Sequence, residues 1–222
     1  MLQAWLKASG TARVRGCLLV IVPDAGLYGA AIGCWRSPAQ ALSTAVKLPL
    51  ILRLTTLGNT LLKGSLAPLL GLELSFRQST VAILFSQTLA AMILAASAPL
   101  AFFVVWNLPP MAGATRGTGY ALIQLSQLAA IAVAGIVANV RLLQILRHLA
   151  GGGAVAGRVL DAWLAGNLLL ATQLTWSLRP FFGAPSLPVE FLRADALRGN
   201  FFEAVAYDLR FLITDRARPS HP

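Results

Sequence analysis

One stretch of the chain, residues 78–107, carries no charged residue. It reads QSTVAILFSQTLAAMILAASAPLAFFVVWN and lies between Arg77 and the pair Pro109 and Pro110. A helix needs about 20 residues to cross the hydrocarbon core of a bilayer, and in lipid a helix satisfies its own backbone hydrogen bonds. The stretch therefore predicts a membrane-spanning helix. Because it is longer than one span needs, we expect it to be tilted, or kinked near Pro99, where the ring removes a backbone donor.

The composition extends this interpretation to the whole chain. Of the 222 residues, 57% are apolar and only 12% are charged, and the mean hydropathy is +0.70. Soluble proteins have about 25% charged residues. The formal net charge is +10, but Lys and Arg are spread through the chain, which favours membrane orientation over nucleic-acid binding. The composition indicates an all-α, multi-pass integral membrane protein without a nucleic-acid partner.

Four further segments predict membrane spans: 17–35, 48–70, 120–140 and 159–178. The first is the weakest, because Asp24 at a helix centre would cost about 2.5–3.5 kcal/mol on insertion scales. Its alternative is a re-entrant or interfacial element. Residues 39–47 predict a separate short interfacial helix, with Lys47 as a headgroup-level anchor. The expected fold is a transmembrane helix bundle of four to five spans over residues 1–180.

Basic residues favour five spans with a cytoplasmic N-terminus. This topology places eight basic residues inside and three in the short outside loops, in agreement with the positive-inside rule, and it puts the C-terminal region outside. Loop 141–158 is then cytoplasmic and loop 108–119 lies on the other face. The chain has 15 Arg and 3 Lys and is rich in Ala, which indicates a GC-rich bacterial genome and hence the bacterial cytoplasmic membrane as its location.

Two sets of residues inside the predicted spans are candidates for function. The small residues Ser126, Ala130, Ala134 and Ala138 recur every four positions, which predicts a helix-packing face. Polar residues at membrane depth usually face other helices or water, so the second set is a candidate internal polar site. Arg53 could instead snorkel, and Asp161 could pair with Arg158 at the membrane boundary. The members of this set are Arg53, Asn59, Gln87, Gln124, Gln127, Asp161, Asn167 and Gln173.

Residues 181–222 predict a C-terminal docking segment. Asn200 is suited to cap a helix, and Glu203 follows three residues later. The helix predicted from 201 to 213 is amphipathic, and it would dock on the membrane interface or on a partner protein. Its apolar face consists of Phe201, Phe202, Val205, Leu209, Leu212 and Ile213.

No arrangement of side chains in the sequence indicates catalysis. The chain has two His and two Cys, and no Ser–His or His–Glu pair has a useful spacing. We therefore expect no catalytic, cofactor-binding or metal site. The favoured function is a non-enzymatic scaffold or accessory subunit that contacts the lipid bilayer and either a protein partner or further copies of itself. The alternatives are a small-solute or ion transporter or channel that uses the intramembrane polar residues, and an intramembrane enzyme that uses Asp161.

The order of motifs over residues 35–178 resembles the YIP family of small multispanning membrane proteins. Trp35-Arg-Ser-Pro38 is followed by a short predicted helix, then by Lys47-Leu-Pro49 entering a span, and then by Ala/Leu-rich helices. The resemblance implies five spans, a cytoplasmic N-terminus and, for eukaryotic relatives, a role in membrane trafficking. It transfers no catalytic residue. The extension after Pro180 departs from the short tail of that family and indicates a docking role of its own.

Overall fold

The computed structural model describes residues 10–69, 75–108, 118–150, 153–179, 181, 189–192, 196–200, 202 and 203. The long elements in these residues are five α-helices, and no β-strand occurs in the described part of the chain. Their bounds are α1 Gly10–Gly33, α2 Pro38–Leu69, α3 Phe76–Asn107, α4 Thr118–Ala150 and α5 Gly153–Ser177.

The ends of α3 follow from local chemistry. The Ser75 hydroxyl accepts from the Gln78 backbone N–H at 3.3 Å, and the Gln78 side chain accepts from the Ser75 N–H at 2.9 Å, which together form a capping box. The helix ends at Asn107, and Leu108 has extended backbone angles. A residue before proline is disfavoured in the helical region, so Pro109 explains why the helix ends there.

Each of the five helices is long and apolar enough to cross a bilayer. The protein is therefore an all-α, multi-pass membrane protein. The uncertain first segment is among these helices: α1 continues through Pro23 and Asp24, since neighbouring helices and local adjustments can satisfy the backbone group that a proline frees. The candidate spans are 12–33, 38–61, 76–107, 126–148 and 153–177.

Two predicted boundaries were wrong. The interfacial helix 39–47 and the span 48–70 form one helix, α2. The loop 141–158 is mostly helical as well, because α4 continues to Ala150 and α5 starts at Gly153. Leu142 and Leu146 are buried one turn apart, whereas the adjacent basic residues Arg141 and Arg147 are exposed. Charged ends of membrane helices extend past the hydrocarbon, so charge marks the edge of the membrane and not the end of the helix.

Helices α1 and α2 run antiparallel and pack closely where side chains are small. A Cβ placed on Gly29 of α1 would lie 2.5 Å from the Thr44 carbonyl oxygen of α2, and one on Gly33 would lie 2.7 Å from Ala41 Cα. Gly26, Gly29 and Gly33 thus bring two backbones together, as small residues do between membrane helices. The largest buried cluster contains residues of α1 to α4, including Tyr28, Ile51, Leu94 and Ala134, and Leu174 of α5 packs against it.

Candidate functional site on helix α2

Three polar side chains of α2 are fully buried on one face of the helix. Gln40, Thr44 and Lys47 each have 0% of their surface exposed. Their spacing of four and three residues places them on one face of an α-helix. We call these three residues the tail-binding face, because what they contact is the chain that follows α5.

The tail-binding face binds main-chain carbonyl groups. Gln40 Nε2 donates to the Phe181 carbonyl oxygen at 3.0 Å, and Thr44 Oγ1 lies 2.7 Å from the same oxygen. Lys47 Nζ donates to the Glu190 carbonyl at 3.2 Å and lies 5.5 Å from the centre of the Phe191 ring. A cation at this distance is attracted by the ring face. Polar groups on α2 therefore hold two points of the C-terminal segment.

The burial of Lys47 makes this contact energetically important. A Lys at the centre of a membrane helix costs about 2.5–3.5 kcal/mol on insertion scales. Lys47 lies nine residues after the start of α2, or roughly 14 Å along the helix. Its long aliphatic part can pack against apolar groups while the amine reaches an acceptor. The carbonyl and the ring at Glu190 and Phe191 reduce this cost only while the segment stays bound.

The C-terminal segment also returns to the end of α5. Trp176 Nε1 donates to the Arg198 carbonyl at 3.0 Å. The Arg179 guanidinium lies 3.7 Å from the centre of the Trp176 ring and donates to the Trp176 carbonyl at 2.8 Å. Gly199 has a φ of +70°, a conformation that glycine adopts without strain. The chain thus turns beside Trp176 just before the predicted amphipathic helix.

A second polar group joins α2, α3 and α5 in the middle of the bundle. Asn59 Nδ2 donates to Asn167 Oδ1 at 2.6 Å, and Gln87 Nε2 donates to the same oxygen at 3.3 Å. Asn59 is fully buried. Gln87 and Asn167 lie roughly 16 and 21 Å along their helices. We call these three residues the amide cluster; it joins three helices through side-chain hydrogen bonds.

Four of the other predicted polar residues do not join the amide cluster. Arg53 and Asp161 are exposed, Gln173 is half-buried, and Gln127 is buried on α4. Arg158 is exposed as well. The side chain of Gln124 lies outside the described residues. The structure therefore brings together three of the eight predicted positions.

The small-residue ladder is only partly in contact with a neighbour. Ala134 and Ala138 are 1% and 3% exposed, and Ser86 of α3 donates to the Ala138 carbonyl at 3.2 Å. Ala130 is half-buried and packs against the same cluster as Ala134. Ser126 is exposed, and its hydroxyl donates to the Ile123 carbonyl of its own helix. Three of the four positions thus face the bundle.

Only the start of the predicted docking helix is described. Asn200 Oδ1 accepts from the Glu203 backbone N–H at 2.9 Å, which is the predicted N-cap. Phe202 is exposed. The remaining residues of the apolar face lie outside the described residues: Phe201, Val205, Leu209, Leu212 and Ile213.

Sequence reasoning missed the tail-binding face. It assigned Lys47 to the headgroup level, whereas the structure buries this residue completely. The available signal was the spacing of Gln40, Thr44 and Lys47 on one face of a helix that enters the membrane. That spacing predicts a buried polar face, although it does not name its partner 137 to 143 positions later in the chain.

No family model, curated protein or solved structure matches this chain.

Proposed function

We propose that the protein is a non-enzymatic scaffold or accessory subunit of a membrane complex, which docks through its C-terminal segment. The observation that supports this role is the attachment of that segment to the bundle at separate points. Gln40 and Thr44 hold the carbonyl of Phe181, and Trp176 holds the carbonyl of Arg198. The polar side chains of α2 are thus used to position the chain itself.

This attachment would present the amphipathic helix at a fixed place. The capping bond from Glu203 to Asn200 lies a few residues after the contact with Trp176. Because the start of the helix is already fixed, a partner would not have to supply the free energy of ordering it. Six large apolar side chains, at about 1.5–3 kcal/mol each if fully buried, would then be available for docking.

The residues at the helix ends support a bundle whose N-terminus lies in the cytoplasm. Basic residues lie near the starts of α1, α3 and α5 and near the end of α4. These residues are Arg13, Arg15, Arg77, Arg147 and Arg158. In an up-and-down bundle these ends share one side, which we propose to be the cytoplasm of a bacterial cell. Tryptophan favours the membrane interface, and the opposite helix ends carry Trp35, Trp106 and Trp176.

The test is a comparison of purified complexes. The protein is isolated from its native membrane in mild detergent, and co-eluting proteins are quantified by mass spectrometry. A double change of Phe202→Ser and Leu209→Ser removes two members of the apolar face, and Arg210→Gln alters the opposite face as a control. We expect a stoichiometric partner, or a second copy of the chain, with the parent and with the control only.

Two results would contradict the accessory role. One is a parent protein that elutes alone as a monomer. The other is a partner that the double variant retains in full, since the apolar face would then not hold it.

A transporter or channel is the second candidate, and the amide cluster favours it. Asn59, Gln87 and Asn167 form a buried polar group in the middle of the bundle, where transport sites often lie. If the protein transports a solute or ion, liposomes containing it should show a flux that Asn167→Leu abolishes. The thermal midpoint of that variant must show that it is folded.

Membership of the YIP family is also a proposal. It rests on Trp35-Arg-Ser-Pro38 and Lys47-Leu-Pro49, which in the structure lie just before and within one continuous helix, α2.

A further inference from the structure

Two buried oxygen atoms at the amide cluster have no hydrogen-bond partner among the described residues. Asn59 donates through Nδ2 to Asn167, but its Oδ1 accepts no hydrogen bond. Thr55 lies one turn earlier on α2 and is 1% exposed, and its Oγ1 is also without a partner. Burying a polar group without a partner is unfavourable, and in the bilayer interior there is no bulk water to relieve it.

Thr55 differs from several other hydroxyl residues of the helices, although the Ser43 and Ser79 hydroxyls are also without a partner among the described residues. Thr56, the next residue, donates to the Leu52 carbonyl four positions earlier at 2.6 Å. Thr88 and Ser97 form the same bond within their helix. This is the usual way in which a helical Ser or Thr satisfies its hydroxyl. The Thr55 hydroxyl does not form that bond, although Thr55 is more deeply buried than Thr56.

The two oxygens lie on one helix face next to a residue without a side chain. Thr55 and Asn59 are four residues apart, so their side chains are neighbours on α2. Gly166 of α5 faces Asn59, because a Cβ added there would lie 3.9 Å from Asn59 Oδ1. Nothing larger than hydrogen therefore extends from Gly166 towards this oxygen. A Cβ at this distance would be in ordinary van der Waals contact with the oxygen.

We propose that Thr55 and Asn59 bind one small hydrogen-bond donor, a water molecule or an ammonium ion, which bridges Asn59 Oδ1 and Thr55 Oγ1. Both atoms are neutral oxygens that can accept, and a guest that donates two hydrogen bonds satisfies both. Asn167 holds the nitrogen end of the Asn59 amide, which leaves the oxygen end for the guest. An anion is disfavoured because Asn59 Oδ1 would repel it. The site is independent of the accessory role proposed above.

Two isosteric variants test this site. Thr55→Val removes one of the two oxygens and keeps the shape of the side chain. Thr56→Val is the matched control, since its hydroxyl is already bonded within its own helix. In a high-resolution crystal structure grown from a lipid phase, the parent and Thr56→Val should show a density peak within hydrogen-bond distance of Asn59 Oδ1. The peak should be absent from Thr55→Val.

The thermal midpoint in ammonium chloride and in choline chloride, at equal ionic strength, identifies the guest. If the thermal midpoint of the parent and of Thr56→Val is higher in ammonium chloride than in choline chloride, and that of Thr55→Val is not, the bound molecule is ammonium. A peak without this salt dependence assigns water. The proposal is overturned if the parent shows no peak and the Thr55 hydroxyl donates to its own helix. If Thr55→Val does not fold, the density of the parent alone decides.

Discussion

The close contact between α1 and α2 gives a sharp prediction for Gly29→Ala. The added Cβ would lie 2.5 Å from the Thr44 carbonyl oxygen, 2.9 Å from its carbonyl carbon and 3.1 Å from Leu48 Cδ1. Two of these three atoms belong to the backbone of α2, which cannot rotate away as a side chain can. The helices must therefore move apart, and the Thr44 hydroxyl that holds the Phe181 carbonyl moves with its helix.

The expected magnitude follows from two opposing effects. Alanine is favoured over glycine inside a helix by about 1 kcal/mol. Overpacking a close contact costs about 1–3 kcal/mol and sometimes more, and a clash with backbone falls at the upper end of that range. We expect Gly29→Ala to lower the free energy of unfolding by about 1–2 kcal/mol.

The assay is denaturant unfolding in mixed micelles, with the thermal midpoint in mild detergent as a second measurement. Gly16→Ala in the same helix and Gly135→Ala in α4 are matched controls, because an added Cβ at either position meets nothing within 4 Å. Both controls should be as stable as the parent or slightly more stable. A Gly29→Ala variant as stable as these controls would refute the close approach of α1 and α2.

Three further predictions concern packing, topology and the amide cluster. Ala134→Phe should lower the free energy of unfolding by about 1–3 kcal/mol through overpacking. The control Ala132→Phe, on the exposed side of the helix, should leave it unchanged. If both variants are as stable as the parent, Ala134 faces lipid. In a cysteine-free background, a Cys at position 113 should react with an impermeant thiol reagent in intact cells and a Cys at position 152 should not, and the reverse pattern would invert the topology. Asn167→Leu should cost about 1–3 kcal/mol of unfolding free energy, since it leaves the buried amide of Asn59 and the half-buried amide of Gln87 without their acceptor. An unchanged denaturation midpoint would show that the cluster does not tie the helices together.

The membrane helices could be predicted because lipid imposes a simple requirement. A segment that crosses the bilayer must be apolar and helical over about 20 residues, and the uncharged stretch 78–107 differs from α3 by only two residues at its start. Helix ends were harder, because nothing in the lipid stops a helix once it has left the hydrocarbon. Arg141 and Arg147 lie on such an extension of α4.

Contacts between distant parts of the chain could not be predicted. The amide residues Asn59, Gln87 and Asn167 were recognised as intramembrane polar groups, but so were four others that the structure places elsewhere. Burial in the membrane favours hydrogen bonds between polar groups, but it does not determine which groups pair. The tail-binding face was missed because its partners are main-chain carbonyls. Every residue has a carbonyl group, so the residue type does not indicate which carbonyl accepts the hydrogen bond.

The central claim is that the segment after α5 is held on α2 by the tail-binding face. A photo-cross-linker in place of Phe191, whose ring lies 5.5 Å from Lys47 Nζ, measures this contact directly in native membranes. We predict an intramolecular cross-link to a peptide of α2, found by mass spectrometry of the digested protein. Lys47→Met should reduce its yield, because the amine no longer holds the Glu190 carbonyl. A cross-link formed only to lipid or to another protein, with none to α2, would contradict the account.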